Sequence, residues 1–202
     1  MALREASFKK YLAEMVGTFC LSFAVALSLS GIFPMPTPVI AGLALGLFVY
    51  TIGPISGAHL NPAVTIGVWS IGKVLRRDAV FYIIAQSIGG TLAYFLSRAL
   101  VIPARVPVVN SVWVGIAELI GTFFFAFGIA AVIHGKAPLM MSGSIIGGSL
   151  ILGISLAAPL SNGVLNPAVA VGIGSFSLLY VVSPIIGAVL GMQIYTWLAG
   201  EK

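Results

Sequence analysis

The chain has very little charge. Only 7% of its 202 residues are Asp, Glu, Lys or Arg, against about 25% in ordinary soluble domains. A soluble domain of this length could not cover its surface with so few. Cysteine occurs once, at Cys20, which excludes an intrachain disulfide and any Cys-rich metal site. Cys20 itself reads as a small apolar packing residue. Histidine occurs twice, and no set of nucleophile, base and orienting residue stands out, nor any metal cluster. Neither an enzyme nor a cofactor is therefore expected. The net charge of +5 comes from basic residues at segment ends rather than on one soluble face, so no nucleic-acid partner is expected. What the chain has in abundance is hydrophobic residues, 59%, and glycine, 24 residues. That is the composition of a protein whose solvent is the lipid bilayer.

The apolar stretches predict spans over 11–32, 39–52, 79–100, 111–134, 139–157 and 178–199. Between them lie two irregular dips, 55–60 and 159–165, each followed by an apolar helix too short to cross about 30 Å of hydrocarbon, 61–71 and 166–175. The charged amino end runs into a long apolar segment rather than a short one with a cleavage site, and is expected to be retained. The 98–110 connection holds Pro103 and Pro107, which break any helix there. Little polar chain follows the last span, so gating by a phosphorylated tail is not expected.

Half a chain apart, the same polar words recur. Asn61-Pro62-Ala63 returns as Asn166-Pro167-Ala168, inside the longer match Ser56–Val64 against Ser161–Val169. Glu14 with Thr18 returns as Glu118 with Thr122, and Tyr82 to Gly89 is echoed by Tyr180 to Gly187. Each half contains three spans, an odd number, so the second half enters the membrane from the opposite side. The fold class expected is an all-α integral membrane protein of six transmembrane helices plus two half-membrane re-entrant helices, built as an inverted repeat. It forms one domain over 1–202, with repeats at about 8–100 and 111–200. Arg4, Lys9, Lys10, Lys73, Arg76, Arg77, Lys136 and Lys202 fall on one side, Arg98 and Arg105 on the other. That asymmetry places both chain ends in the cytoplasm, and the plasma (cell) membrane is the expected location. Glycines four apart, Gly42 and Gly46, Gly143 and Gly147, Gly187 and Gly191, mark expected helix crossings.

Irregular backbone at bilayer depth persists only when buried in protein or facing water. Each Asn is a strong helix cap and each Pro suits the first helical turn. The two short helices should therefore start at the midplane, with their positive dipole ends facing one another. Carbonyls of Gly57, Ala58 and His59 in the first dip, and of Gly163, Val164 and Leu165 in the second, would line a file of small polar molecules. The Asn amide groups would point donors into the lumen. Glu14 and Glu118, at matched places inside apolar spans, are read as acceptors for the dips' amide groups, and Gln86 as a further support. A proton relay or ion site is the competing reading for the carboxylates. His59 is read as positioning its loop, with gating by protonation as the alternative. His134 is read as interfacial. Leu45 and Leu150, at equivalent distances before their Asn residues, are expected as apolar pore wall.

With these residues in place the chain resembles the aquaporin, or major intrinsic protein, family over nearly its whole length. The resemblance implies an hourglass fold with a pore in each subunit, assembly as a homotetramer, and passive conduction of water or small uncharged solutes without a cofactor. It also implies an outer filter at Ala41, Ile154, Gly163 and Val169. Many members carry Arg directly after the second Asn-Pro-Ala, where this chain has Val169. Orthodox water channels show an aromatic, a His and that Arg at the filter. Here the ring is small and apolar, similar to some plant vacuolar members, and relaxed selectivity is expected: water, with ammonia, hydrogen peroxide, urea and glycerol as further candidates. Two other readings stay open. An active transporter would carry an acid or substrate clamp in one half only, and the symmetric Glu14 and Glu118 argue against it. A non-conducting, structural protein of the same fold would keep the packing glycines and tolerate a blocked lumen.

Overall fold

The computed structural model describes residues 2–31, 33–102 and 106–201, with the side chains of 2–7 outside the description. Ile32, Pro103, Arg105 and Lys202, and the side chain of Arg4, therefore lie outside the described residues. Among those described, the chain is helical throughout: α1 (Ala2–Ser28), α2 (Thr37–Thr51), α3 (Gly53–Ser56), α4 (Pro62–Ser70), α5 (Arg76–Leu100), α6 (Val112–Ile133), a short 3-10 turn at Leu139–Met141, α7 (Ser142–Ala157), α8 (Pro167–Ile173) and α9 (Leu179–Leu198). The expected spans and the two half-helices all appear, with ends shifted by a few residues except at the first, where the helix begins at Ala2 rather than near Tyr11.

The second span is as short as its 39–52 stretch predicts. Among the described residues five helices are long and apolar enough to cross a membrane, whereas α2 has only 15 residues, about 22 Å at 1.5 Å per residue. The helix stops at Thr51 because Pro54 follows. Without an N–H, Pro54 cannot bond back to Tyr50, and its ring would crowd that carbonyl. The chain turns at Ile52 and restarts as α3, with Pro54 in its first turn. This short helix carries the crossing on into the first dip.

The two halves pair their helices in the same way. In the first, α1 packs along α5; in the second, α6 packs along α9; α2 and α7 cross between the halves, and the tips of α4 and α8 touch at the centre. The glycines four apart set the closest crossing. A Cβ on Gly46 would lie 2.8 Å from the Gly143 carbonyl oxygen, and one on Gly42 would lie 2.6 Å from that of Gly147. Gly187 and Gly191 lie in the same manner against the carbonyls of Leu119 and Phe123 on α6. Helices in lipid gain no hydrophobic driving force from meeting, so this close backbone approach is what dispersion and Cα–H···O contacts need.

Large apolar side chains such as Leu43, Leu47, Leu92, Phe95 and Ile186 point outward, as a lipid-facing surface requires. Lys10 Nζ lies 2.7 Å from Asp78, and the Tyr11 hydroxyl donates to the same carboxylate, clamping α1 to α5. His134 caps the carboxyl end of α6, with Nε2 2.9 Å from the Thr196 hydroxyl, at the helix end where the sequence placed it. Cys20 is partly buried on α1 and free of any disulfide.

The Gly46 crossing can be tested against a neutral neighbour. Gly46→Leu forces a side chain into backbone and should cost about 1–3 kcal/mol or more. In detergent, the apparent Tm should fall by roughly 5 °C or more. Gly148→Ala, on the facing helix α7 but with nothing within 4 Å of its Cβ position, should leave Tm within a degree or so. Equal shifts in the two variants would rule out the crossing as the controlling contact.

Candidate functional site: two dips meeting at the midplane

Each dip adopts a conformation that L-residues avoid. Gly57, Ala58 and Leu60 in the first, and Gly163 and Leu165 in the second, have positive φ, with Ala58 at 50°, Leu60 at 49° and Leu165 at 53°. A non-glycine residue there costs about 1–2 kcal/mol. In return the turn gathers consecutive N–H groups onto one buried carboxylate. Glu14, fully buried on α1, accepts at Oε1 from the Ser56 hydroxyl (2.7 Å) and His59 N (2.9 Å), and at Oε2 from Leu60 N (2.7 Å) and Gln86 Nε2 (2.8 Å). Glu118 on α6 repeats the pattern with the Ser161 hydroxyl (2.7 Å), Val164 N (2.9 Å) and Leu165 N (2.7 Å). Every partner is a donor, which suits an ionised carboxylate and offsets its desolvation. Gln86 also donates to the Thr65 hydroxyl at 2.9 Å, and so ties α5 to both the carboxylate and the half-helix α4. In the second half Pro184 occupies the place of Gln86 in the repeat, and this fourth bond has no counterpart.

The two Asn residues hold the dips to one another. Asn61 Oδ1 caps α4 by accepting from Ala63 N (2.8 Å) and Val64 N (3.5 Å), while its Nδ2 donates to the Leu165 carbonyl across the midplane (2.9 Å). Asn166 mirrors this: Oδ1 caps α8 through Ala168 N (3.0 Å) and Val169 N (3.3 Å), and Nδ2 donates to the Leu60 carbonyl (2.9 Å). Each amide has two N–H donors, so one holds the opposite dip and the second remains. The sequence reading missed this exchange. It also placed the Leu165 carbonyl in the lumen, whereas that oxygen accepts from Asn61 and the Leu165 side chain is fully buried. An unpaired carbonyl at this depth would be costly, and the nearest donor takes it.

Two cavities lie along the half-helix tips, and only the first reaches the Asn pair; they are called outer and inner after the sidedness expected from the basic residues. The outer one, about 210 Å³, is lined by Ala41, Ile154, Gly163 and Val169, and further in by Leu45, Leu150, Val164, Asn61 and Asn166. The inner one, about 790 Å³, is lined by Gly57, Ala58, His59, Leu45 and Val68 among others. Pro62, Ala63, Pro167 and Ala168 are buried in the half-helices and do not line either cavity. Sequence reasoning named the dips, the carboxylates and the ring. It did not find Phe125, which lines both cavities, nor Tyr82, whose hydroxyl donates to the Ser56 carbonyl at 2.6 Å. The signal for Phe125 was present in the repeat, where it stands opposite Leu21.

These features define a class: an integral membrane protein of inverted helical halves, with two re-entrant half-helices joined at the midplane. The chain matches the major intrinsic protein family over residues 2–195, and it belongs to that family. It is 34% identical to Aquaporin NIP1-1 of Zea mays, over 93% of this chain and 73% of that protein. It is 32% identical to Aquaporin AqpM of Methanothermobacter marburgensis, over 96% and 98% of the two chains. It is 35% identical to Aquaporin Z of Rhodopseudomonas palustris, over 95% and 94%. Among solved structures, the X-ray structure of the aquaglyceroporin from Plasmodium falciparum superimposes with a TM-score of 0.76 at 23% identity, covering 94% of this chain and 95% of that one. That last likeness is one of fold.

The carboxylate braces carry a sharp expectation. Glu118→Gln keeps the shape but turns one acceptor into an NH₂ donor facing another donor, where each bond to the charge contributes about 1.5–3 kcal/mol. The apparent Tm should drop clearly and water permeability in proteoliposomes should fall at least about tenfold, a barrier change of roughly 1.4 kcal/mol. Parent-level Tm together with parent-level flux would show that the dip does not depend on the charge.

Proposed function

We propose that the chain is a passive channel for water and small uncharged solutes, neither an enzyme nor an active transporter. All of 1–202 would act as one channel domain, with both ends in the cytoplasm and the plasma membrane as its location. Copies of the chain would assemble as a homotetramer, each subunit with its own conduit. The observation that carries this reading is the pair of cavities that adjoin at Leu45, His59 and Phe125, the outer of them reaching Asn61 and Asn166. The names of its relatives, aquaporins and an aquaglyceroporin, support the same reading.

The outer ring of Ala41, Ile154, Gly163 and Val169 holds no charge and no side-chain hydrogen-bond donor. Such a ring has little preference for water over other small neutral solutes, because it offers nothing that replaces lost hydration selectively. Ammonia, hydrogen peroxide, urea and glycerol are the solutes it would admit alongside water. Exclusion of cations would fall to the centre, where the amino ends of α4 and α8 and the Asn amide groups present positive dipole ends in a water-poor site.

Stopped-flow measurements on reconstituted protein with water, glycerol, urea and peroxide in parallel test this. Val169→Arg adds bulk, a fixed positive charge and a donor fork to the ring. Glycerol and urea permeability should then fall severalfold while water falls less. If the variant passes the larger solutes as well as the parent, this account of the ring is wrong. A parent no more permeable than bare lipid to every solute would instead favour a structural role.

A further inference from the structure

We infer that the size limit of the conduit lies on the cytoplasmic flank of the Asn pair, at a collar of Leu45, His59 and Phe125, and not at the outer ring. The inference rests on the conducting role proposed above.

The outer cavity runs past all four ring residues and on to Asn61 and Asn166 without a partition. The break between the outer and inner cavities comes after them. Among the described residues, Leu45, His59 and Phe125 are the three that line both cavities, so they stand where one space ends and the other begins. The two-fold repeat explains why the break falls there. It maps Leu45 onto Leu150, His59 onto Val164 and Phe125 onto Leu21. Those three counterparts all line the outer cavity, on the other flank of the Asn pair. The backbone cage is therefore matched on both sides, while the side chains are not. On the cytoplasmic flank an imidazole replaces an isopropyl group and a phenyl ring replaces an isobutyl group. The bulk has been added on one side only.

The collar is also held firmly. His59 Nδ1 lies 3.2 Å from the Thr65 hydroxyl, and its ring packs edge-on against Tyr82 with centroids 5.2 Å apart. Tyr82 is in turn fixed by its bond to the Ser56 carbonyl. Phe125 is 2% exposed and packs into the apolar core around the conduit. Leu45 sits in the α2 segment whose neighbouring Gly42 and Gly46 are locked to α7. Side chains with so little freedom act as a fixed aperture. The passage they leave is apolar on two sides and has one imidazole on the third. It selects for compact, uncharged solutes by shape, with at most one polar contact during transit.

The test uses the full-length protein in proteoliposomes, with water and glycerol as probes and the glycerol-to-water permeability ratio as readout. Phe125→Leu gives the inner flank the side chain of its outer counterpart and should raise the ratio severalfold. Phe125→Trp should lower it. Leu45→Ala widens the same collar from α2, and should raise the ratio even if the Phe125 variants fold poorly. A ratio unmoved by both Phe125→Leu and Leu45→Ala, while Ile154→Ala raises it, would return the size limit to the outer ring and overturn the inference. A parent protein that conducts neither probe would fail at the conducting role itself, which the parent control reports before any variant is compared.

Discussion

The structure depends on satisfying irregular backbone in the middle of a bilayer. No water is available there to pair an exposed N–H or C=O, and each unpaired group costs several kcal/mol by rough reckoning. This chain meets the demand with four side chains. Glu14 and Glu118 collect the N–H groups of the two dips, and Asn61 and Asn166 collect the orphan amide groups of the half-helices while donating to the Leu165 and Leu60 carbonyls of the opposite dips. Everything else arranges itself around that: α1 and α6 must present their carboxylates at one depth, and α5 and α9 must pack closely enough to keep water from competing.

Packing follows from the same constraint. A dip held by one carboxylate tolerates little drift of the helix that carries it. The crossings that fix those helices are therefore backbone-to-backbone, with Gly89 against the Met15 carbonyl on α1 and Gly187 against the Leu119 carbonyl on α6. Both lie within a turn or so of Glu14 and Glu118. The small residues are thus spent where a displacement would break a hydrogen bond to the carboxylate.

Much of this was legible in the sequence, because it was written twice. A lone Asn-Pro-Ala is an ordinary helix start. Two of them half a chain apart, each with a Glu at nearly the same distance before it (61 − 14 = 47 and 166 − 118 = 48), identify the dips, their braces and the inversion. What was not legible depends on contacts between the halves. The bond from Asn61 to the Leu165 carbonyl joins residues 104 apart, and no local pattern announces it. Phe125 hid among neighbouring phenylalanines of α6, and only its departure from Leu21 in the repeat distinguishes it. The ring at Ala41, Ile154, Gly163 and Val169 came from resemblance, since nothing in spacing brings those four together.

The reciprocal exchange between Asn61 and Asn166 has a consequence for biosynthesis. The Leu60 carbonyl finds its donor on a residue made 106 positions later. When the first half emerges from the ribosome, its re-entrant segment has its carboxylate brace but not its distal latch. The nascent amino-terminal half is therefore an unfinished object in the lipid, with a polar tip awaiting a mate. Only when the carboxyl-terminal half threads in from the far side does the latch close, so maturation of either half is contingent on the arrival of the other.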